Sequence, residues 1–277
     1  MIPEFENIDQ RIAWLVKNKS MLIAQKKAAV KYADAIVYAP SFVIGDKEES
    51  VIKADAGAAI IDETAKQIKV RSIINTTKLM DSHGDVHIDQ LWNKSLKDNK
   101  NFYLVKEHNF GFDGIISDNV KAFVKQMSWH ELGINYEGKT QALIFDSLID
   151  KEDTTRHEMF EAYRKGKVKQ HSVGMRYVKI DLAVNDERYE KEFALWEKYF
   201  PEIANKEDAL DAGYFYPVTE AKIIEGSAVV IGSNWATPVL NIQQAKGQPS
   251  QDTDKEQEPP KRTLKASELM KFYQPII

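Results

Sequence analysis

Ile8, Ile12, Leu15, Leu22 and Ile23 recur at helical spacing, and no Gly or Pro falls between residues 4 and 39. This pattern predicts a helix over residues 8–32, with Asn7 or Asp9 as its cap. Its lysines Lys17, Lys19, Lys26, Lys27 and Lys31 read either as the solvated face of a helix packed on the body or as a docking arm. From about residue 36 to 149 the pattern changes to short β-rich runs, AIVY, SFVIG, AAIIDE, QIKVRSIIN, FYLVKEH, DGIIS, KAFVKQMSW and QALIFDSLI. Turn signals such as Ile44-Gly45-Asp46, Gly111-Phe112-Asp113-Gly114 and Glu137-Gly138-Lys139 separate them, which predicts a barrel or sandwich.

Residues 152–165 read as a helix that stops at Gly166, and the strand KVKQHSVGMRYVKI follows directly. Tyr189, Phe193, Trp196 and Phe200 then fall on one helical face ahead of Pro201, predicting an inserted amphipathic helix. The last β signal spans residues 218–234. Beyond Ala245, residues 246–263 lack large apolar side chains and are expected to be a disordered linker. The terminal LKASELMKFYQPII regains a short amphipathic pattern, as a docking segment or a frayed tail. The expected organisation is an N-terminal helical arm (1–35), a main domain (36–245, with a helical insertion at about 183–217) and a linker with a short tail segment (246–277).

Composition narrows the function classes. The 277 residues are 43% hydrophobic, enough for a full core, and a net charge of -4 argues against a nucleic-acid grip built on a basic surface. With no cysteine, disulfides, thiol nucleophiles, zinc fingers and iron–sulfur sites are excluded, and the cytosol is the favoured compartment. No apolar run approaches the ~20 residues of a membrane span, and no signal-peptide pattern opens the chain, so a soluble, unexported protein is expected.

A covalent mechanism without cysteine calls for a serine or threonine activated by a histidine. The candidates for that base are His83, His87, His108, His130, His157 and His171. Strand alternation puts Val168, Gln170, Ser172, Gly174, Arg176 and Val178 on one face, so His171 points the other way and cannot serve its neighbour Ser172. Gly174 is expected to leave open space for a substrate backbone. His108 ends the run FYLVKEH beside a turn, a reasonable place for a base. Alternation in AKIIEGSAVVIG puts Glu225 on one face with Ala221, Ile223, Ser227 and Val229. A carboxylate on an apolar face needs an imidazole or a basic side chain as companion. A rival constellation is SHGDVH, where His83, Asp85 and His87 could share a strand face as metal ligands, although the same residues make ordinary turn chemistry.

Taken in order, RSIINTTKLMDSHGDVH, LWNKSLKDN, LVKEHNFGFDGII, YRKGKVKQHSVGM and IIEGSAVVIGSNWATPVL resemble the prohead maturation proteases of tailed phages, the HK97-like serine peptidases, over about residues 68–240. The resemblance implies an α+β fold similar to herpesvirus assemblins, a compact and mostly antiparallel β-barrel with flanking helices. It carries the family's histidine onto His108, its serine onto Ser172 and the orienting acid onto Glu225, with no metal and no cofactor. Oxyanion donors would come from backbone N–H groups near Gly174 or from Arg176. The implied partners are the major capsid protein and scaffold as substrates and the chain itself, through autocleavage and a possible homo-oligomer, with no nucleic acid and no membrane. The implied location is the bacterial host cytoplasm, inside the assembling prohead. Two other readings stand beside it: a non-catalytic capsid-assembly or scaffold-type binding protein, and a metal-dependent hydrolase using His83 and His87.

Overall fold

The computed structural model of the chain describes residues 5–30, 65–152 and 156–230, then 232, 234, 236, 237 and 239–244. The strands expected between residues 36 and 63, the arm boundary near 35, the linker and the tail lie outside these residues. The described chain is an α+β protein with two sheets.

The first helical signal becomes two helices, α1 (Ile8–Lys17) and α2 (Lys19–Ala28), instead of one reaching residue 32. Asn7 caps α1 through its side chain, which accepts from Gln10 N at 2.9 Å. Asn18 breaks the run by turning its own amide onto the Trp14 carbonyl, 2.8 Å away, competing with the helical ladder. Ile12, Leu15 and Leu22 are buried in the same core as the strands, so α1 and α2 pack on the body. Lys26 ties α2 down further by pairing with the buried carboxylate of Asp85.

One sheet is wholly antiparallel, in the order β10 (Val239–Gln244), β1 (Gln67–Thr76), β6 (Lys139–Asp150) and β5 (Val120–Ser128). The other is built around β9 (Tyr214–Val229), a single 16-residue strand. On one side β9 pairs in parallel with β2 (Asp85–His87) and β3 (Leu104–Lys106), and β3 passes the sheet on to β4 (Ile115–Ser117). On the other side it pairs antiparallel with β7 (Gln170–Ile180) and β8 (Ala183–Val184). The described strands therefore form two sheets whose pairings are mostly antiparallel, as expected, with only the short pairings of β2 and β3 to β9 parallel; closure into a single barrel is not shown among them.

Helices α3 (Asn93–Asp98) and α4 (His157–Arg164) flank the sheets, and Gly166, at φ 63, follows α4 as anticipated. The insertion holds two helices rather than one, α5 (Glu190–Tyr199) and α6 (Lys206–Ala212). Pro201 sits in the 3-10 turn Phe200–Glu202 between them, and Trp196 stacks on Phe200 at 4.8 Å.

An irregularity in the β7–β9 ladder sets the position of the site. Ser172 faces Ser227 and Gly174 faces Glu225, but the next pair is Met175 with Ile223, so Ile224 is an extra residue on β9. The bulge reverses the alternation of β9. Ala221 and Ile223 turn into the core with Met175 and Tyr177, while Glu225 and Ser227 stay on the opposite face with Ser172. The expectation that Glu225 shares an apolar face with Ala221 and Ile223 is thereby corrected.

Candidate active site

His108 lies just past the end of β3, in a stretch where Glu107 and His108 both adopt left-handed backbone, at φ 49 and 54. Two consecutive non-glycine residues in that region are strained and persist only when their surroundings fix them. Three contacts do so here. His108 N donates to Ser227 Oγ at 2.8 Å, Val230 N donates to Glu107 Oε1 at 3.0 Å, and Glu107 N donates to Ala228 O at 2.9 Å. The turn then closes through Asn109, whose side chain accepts from Gly111 N at 2.8 Å.

Held this way, the His108 ring meets Glu225, with Nδ1 2.6 Å from Oε1. The Glu225 side chain is 2% exposed and that of His108 11%. Burial holds the Glu225 carboxyl above its ordinary range, more than the opposing hydrogen bond and charge of His108 lower it. An Nδ1–H donated to this carboxylate fixes the imidazole tautomer and leaves Nε2 to act as a base.

The carboxylate lies directly over Gly174: a Cβ placed there would stand 2.0 Å from Oε1. The space expected to receive a substrate backbone is thus taken by Glu225, a correction to the sequence reading. Ser172 is two residues along the same face of β7, directly opposite Ser227, the residue that holds the His108 amide. Facing side chains in such a pair have Cβ atoms about 4.5–5.5 Å apart. Strand register therefore puts Glu225 and Ser172 on one face of the sheet, and the bond to Glu225 holds the His108 ring, from the turn after β3, at that carboxylate.

No protein-family model, no curated protein and no solved structure matches the chain.

The remaining histidines are placed elsewhere. His171 is fully buried on the other face of β7, its Nε2 2.8 Å from the Tyr163 hydroxyl, and its carbonyl accepts from Thr237 Oγ1 at 2.6 Å. Burial lowers its pKa to about 4. Because the folded value lies below the unfolded one, this residue's contribution to stability is complete above about pH 6.5 and is lost as the pH falls towards 4, at a cost of about 3 kcal/mol. Urea titrations across that window should show a flatter pH dependence for His171→Gln than for the native chain.

His87 has Asn75 Oδ1 3.0 Å from Nδ1 and the Tyr177 hydroxyl 3.2 Å from Nε2, and that hydroxyl donates to Asp85 at 2.8 Å. His83 stands outside β2 in the turn built by Asp81, whose side chain accepts from His83 N and Asp85 N. Among the described residues no three His, Asp or Glu side chains converge on a metal-sized position. His130 and His157 are surface groups, beside Glu137 and the Lys151 carbonyl respectively.

Ser227 carries no role in the sequence reading, and its signal there is the alternation that puts a hydroxyl on the same face as Glu225. Its Oγ accepts from His108 N and donates to Val105 O at 3.2 Å, so it acts through His108 as a positioning residue. For a reaction that uses His108 as its base, Ser227→Ala should lower kcat about tenfold to a hundredfold with KM little changed, and Ser227→Thr, which keeps the acceptor, should recover part of the loss. Equal loss in both variants would make the hydroxyl a packing element only.

Proposed function

We propose that the chain is a serine endopeptidase of the prohead-maturation type, cleaving capsid-protein and scaffold segments, and itself, during phage head assembly. The observation that carries this reading is the His108–Glu225 pair seated over Gly174, on the sheet face that bears Ser172. In the proposed reaction Ser172 Oγ attacks the peptide carbonyl while His108 Nε2 takes its proton and later returns it to the leaving amine. Glu225 holds the ring and offsets the charge that develops on it. Water then attacks the acyl-enzyme by the same proton path and restores Ser172.

The surroundings fit a macromolecular substrate. Of the eight exposed large hydrophobic side chains among the described residues, Tyr103, Phe110, Phe112 and Val230 lie on the segments that flank His108, and Phe112 is 88% exposed. A barrel related to that of the herpesvirus assemblins belongs to the same proposal, as do assembly inside the prohead and action in the host cytoplasm.

The test is direct. A fluorophosphonate incubated with the purified chain should add its mass to Ser172 and stop cleavage of co-purified capsid protein. Undiminished cleavage by protein fully labelled at Ser172, or cleavage with label at another residue only, would overturn the reading.

A further inference from the structure

The face that carries Ser172 and Gly174 continues to Arg176, which lies directly opposite Lys222 in the ladder. Both side chains are exposed. Like charges facing each other across an antiparallel pair repel, and an anion bound between them relieves that repulsion. Neither Arg176 nor Lys222 forms an ion pair with a carboxylate of the described residues, whereas Lys179, three residues further along β7, is paired with Glu220. The bulge at Ile224 creates the juxtaposition. Without the extra residue, Lys222 would keep step with Ile224 and Gly226 and face the core side instead. The same backbone event therefore parts Glu225 from the core-facing Ala221 and Ile223 and lines up two cations beyond it.

We propose that Arg176 and Lys222 form a subsite for a carboxylate side chain of the peptide substrate. The guanidinium offers a planar pair of donors to a carboxylate and the ammonium adds a second charge. Ser172 and Arg176 are four residues apart on an extended strand, or about 13 Å. A substrate lying extended along this face therefore presents its acidic residue within about four positions of the bond that is cut. That separation also puts the Arg176 side chain in a better position for substrate recognition than for the oxyanion role considered from sequence. The inference rests on the peptidase reading and gives its site a substrate preference.

Two fluorogenic peptide series, each walking a single Glu or Gln through the four positions on either side of the scissile bond, test it. At one position Glu should raise kcat/KM at least tenfold over Gln at low salt. The advantage should vanish in the Arg176→Gln, Lys222→Gln double variant. In the Arg176→Glu, Lys222→Glu variant it should reverse in favour of a Lys peptide. Equal rates for Glu and Gln at every position, or a Glu preference that survives the double Gln variant, overturn the subsite. Binding of the same peptides to the Ser172→Ala protein, read by fluorescence anisotropy, separates the two claims. A tenfold Glu preference in binding supports the subsite even if no turnover is found, which counts against the peptidase reading alone. Equal competition by inorganic phosphate and the Glu peptide at matched charge would show an adventitious ion only and would overturn the proposal.

Discussion

Ser172→Ala should reduce peptide hydrolysis by about 10⁴–10⁶-fold while leaving the fold in place, the range seen when a triad nucleophile is removed and only binding and oxyanion stabilisation remain. The residue is 5% exposed and stands opposite Ser227, in a ladder that does not depend on its hydroxyl. Deleting one oxygen there creates no sizeable cavity, so the melting temperature should move by no more than about 2–4 °C, equivalent to about 1 kcal/mol in a chain of this size. Paired measurements of activity and thermal unfolding check both halves. Retained hydrolysis by the variant would remove the nucleophile from the mechanism. A collapse of stability would assign Ser172 a structural role that its position in the ladder does not suggest.

Gly174→Ala is the second large effect, and it acts through Glu225. The backbone at Gly174 is not in the left-handed region, so an alanine there is strained by contact alone. Its Cβ would stand 2.0 Å from Glu225 Oε1 and 2.8 Å from Cδ, distances that no carboxylate tolerates. The side chain must move, and the 2.6 Å bond to His108 breaks with it. The imidazole then loses the group that sets its tautomer. kcat should fall by about 10²–10⁴-fold with KM changed far less, as expected when an orienting carboxylate is lost from a triad. Glu225→Gln should produce a loss of the same order without any steric push, and combining the two changes should cost little more than either alone. Additive losses in the double variant would mean that Gly174 and Glu225 serve different ends.

Much of this site could be read from local chemistry. Alternation along KVKQHSVGMRYVKI separates Ser172 from His171, and the structure puts His171 on Tyr163, away from Ser172. The companion sought for Glu225 is an imidazole, that of His108. What escaped the sequence is whatever depends on register between distant strands. The bulge at Ile224 changes which β9 residues face the core, and no periodicity within AKIIEGSAVVIG announces it. Gly174 looks vacant until the residue opposite it is known, and then it is the floor beneath a carboxylate. The break at Asn18 comes from a single side chain bonding back to Trp14, within an otherwise helical pattern. β10 is short and gains its identity by pairing with β1, more than 160 residues earlier in the chain.

The long strand β9 also imposes a timetable on the molecule. β3 and β7 each pair with β9 and not with one another, so among the described strands it is β9 that joins the turn carrying His108 to the strand carrying Ser172. A nascent chain can have both of those segments outside the ribosome and still lack any frame to unite them until residues up to about Val229 have emerged. On the proposed peptidase reading, the nucleophile and its base stay unframed, and the chain inert, until β9 has been made.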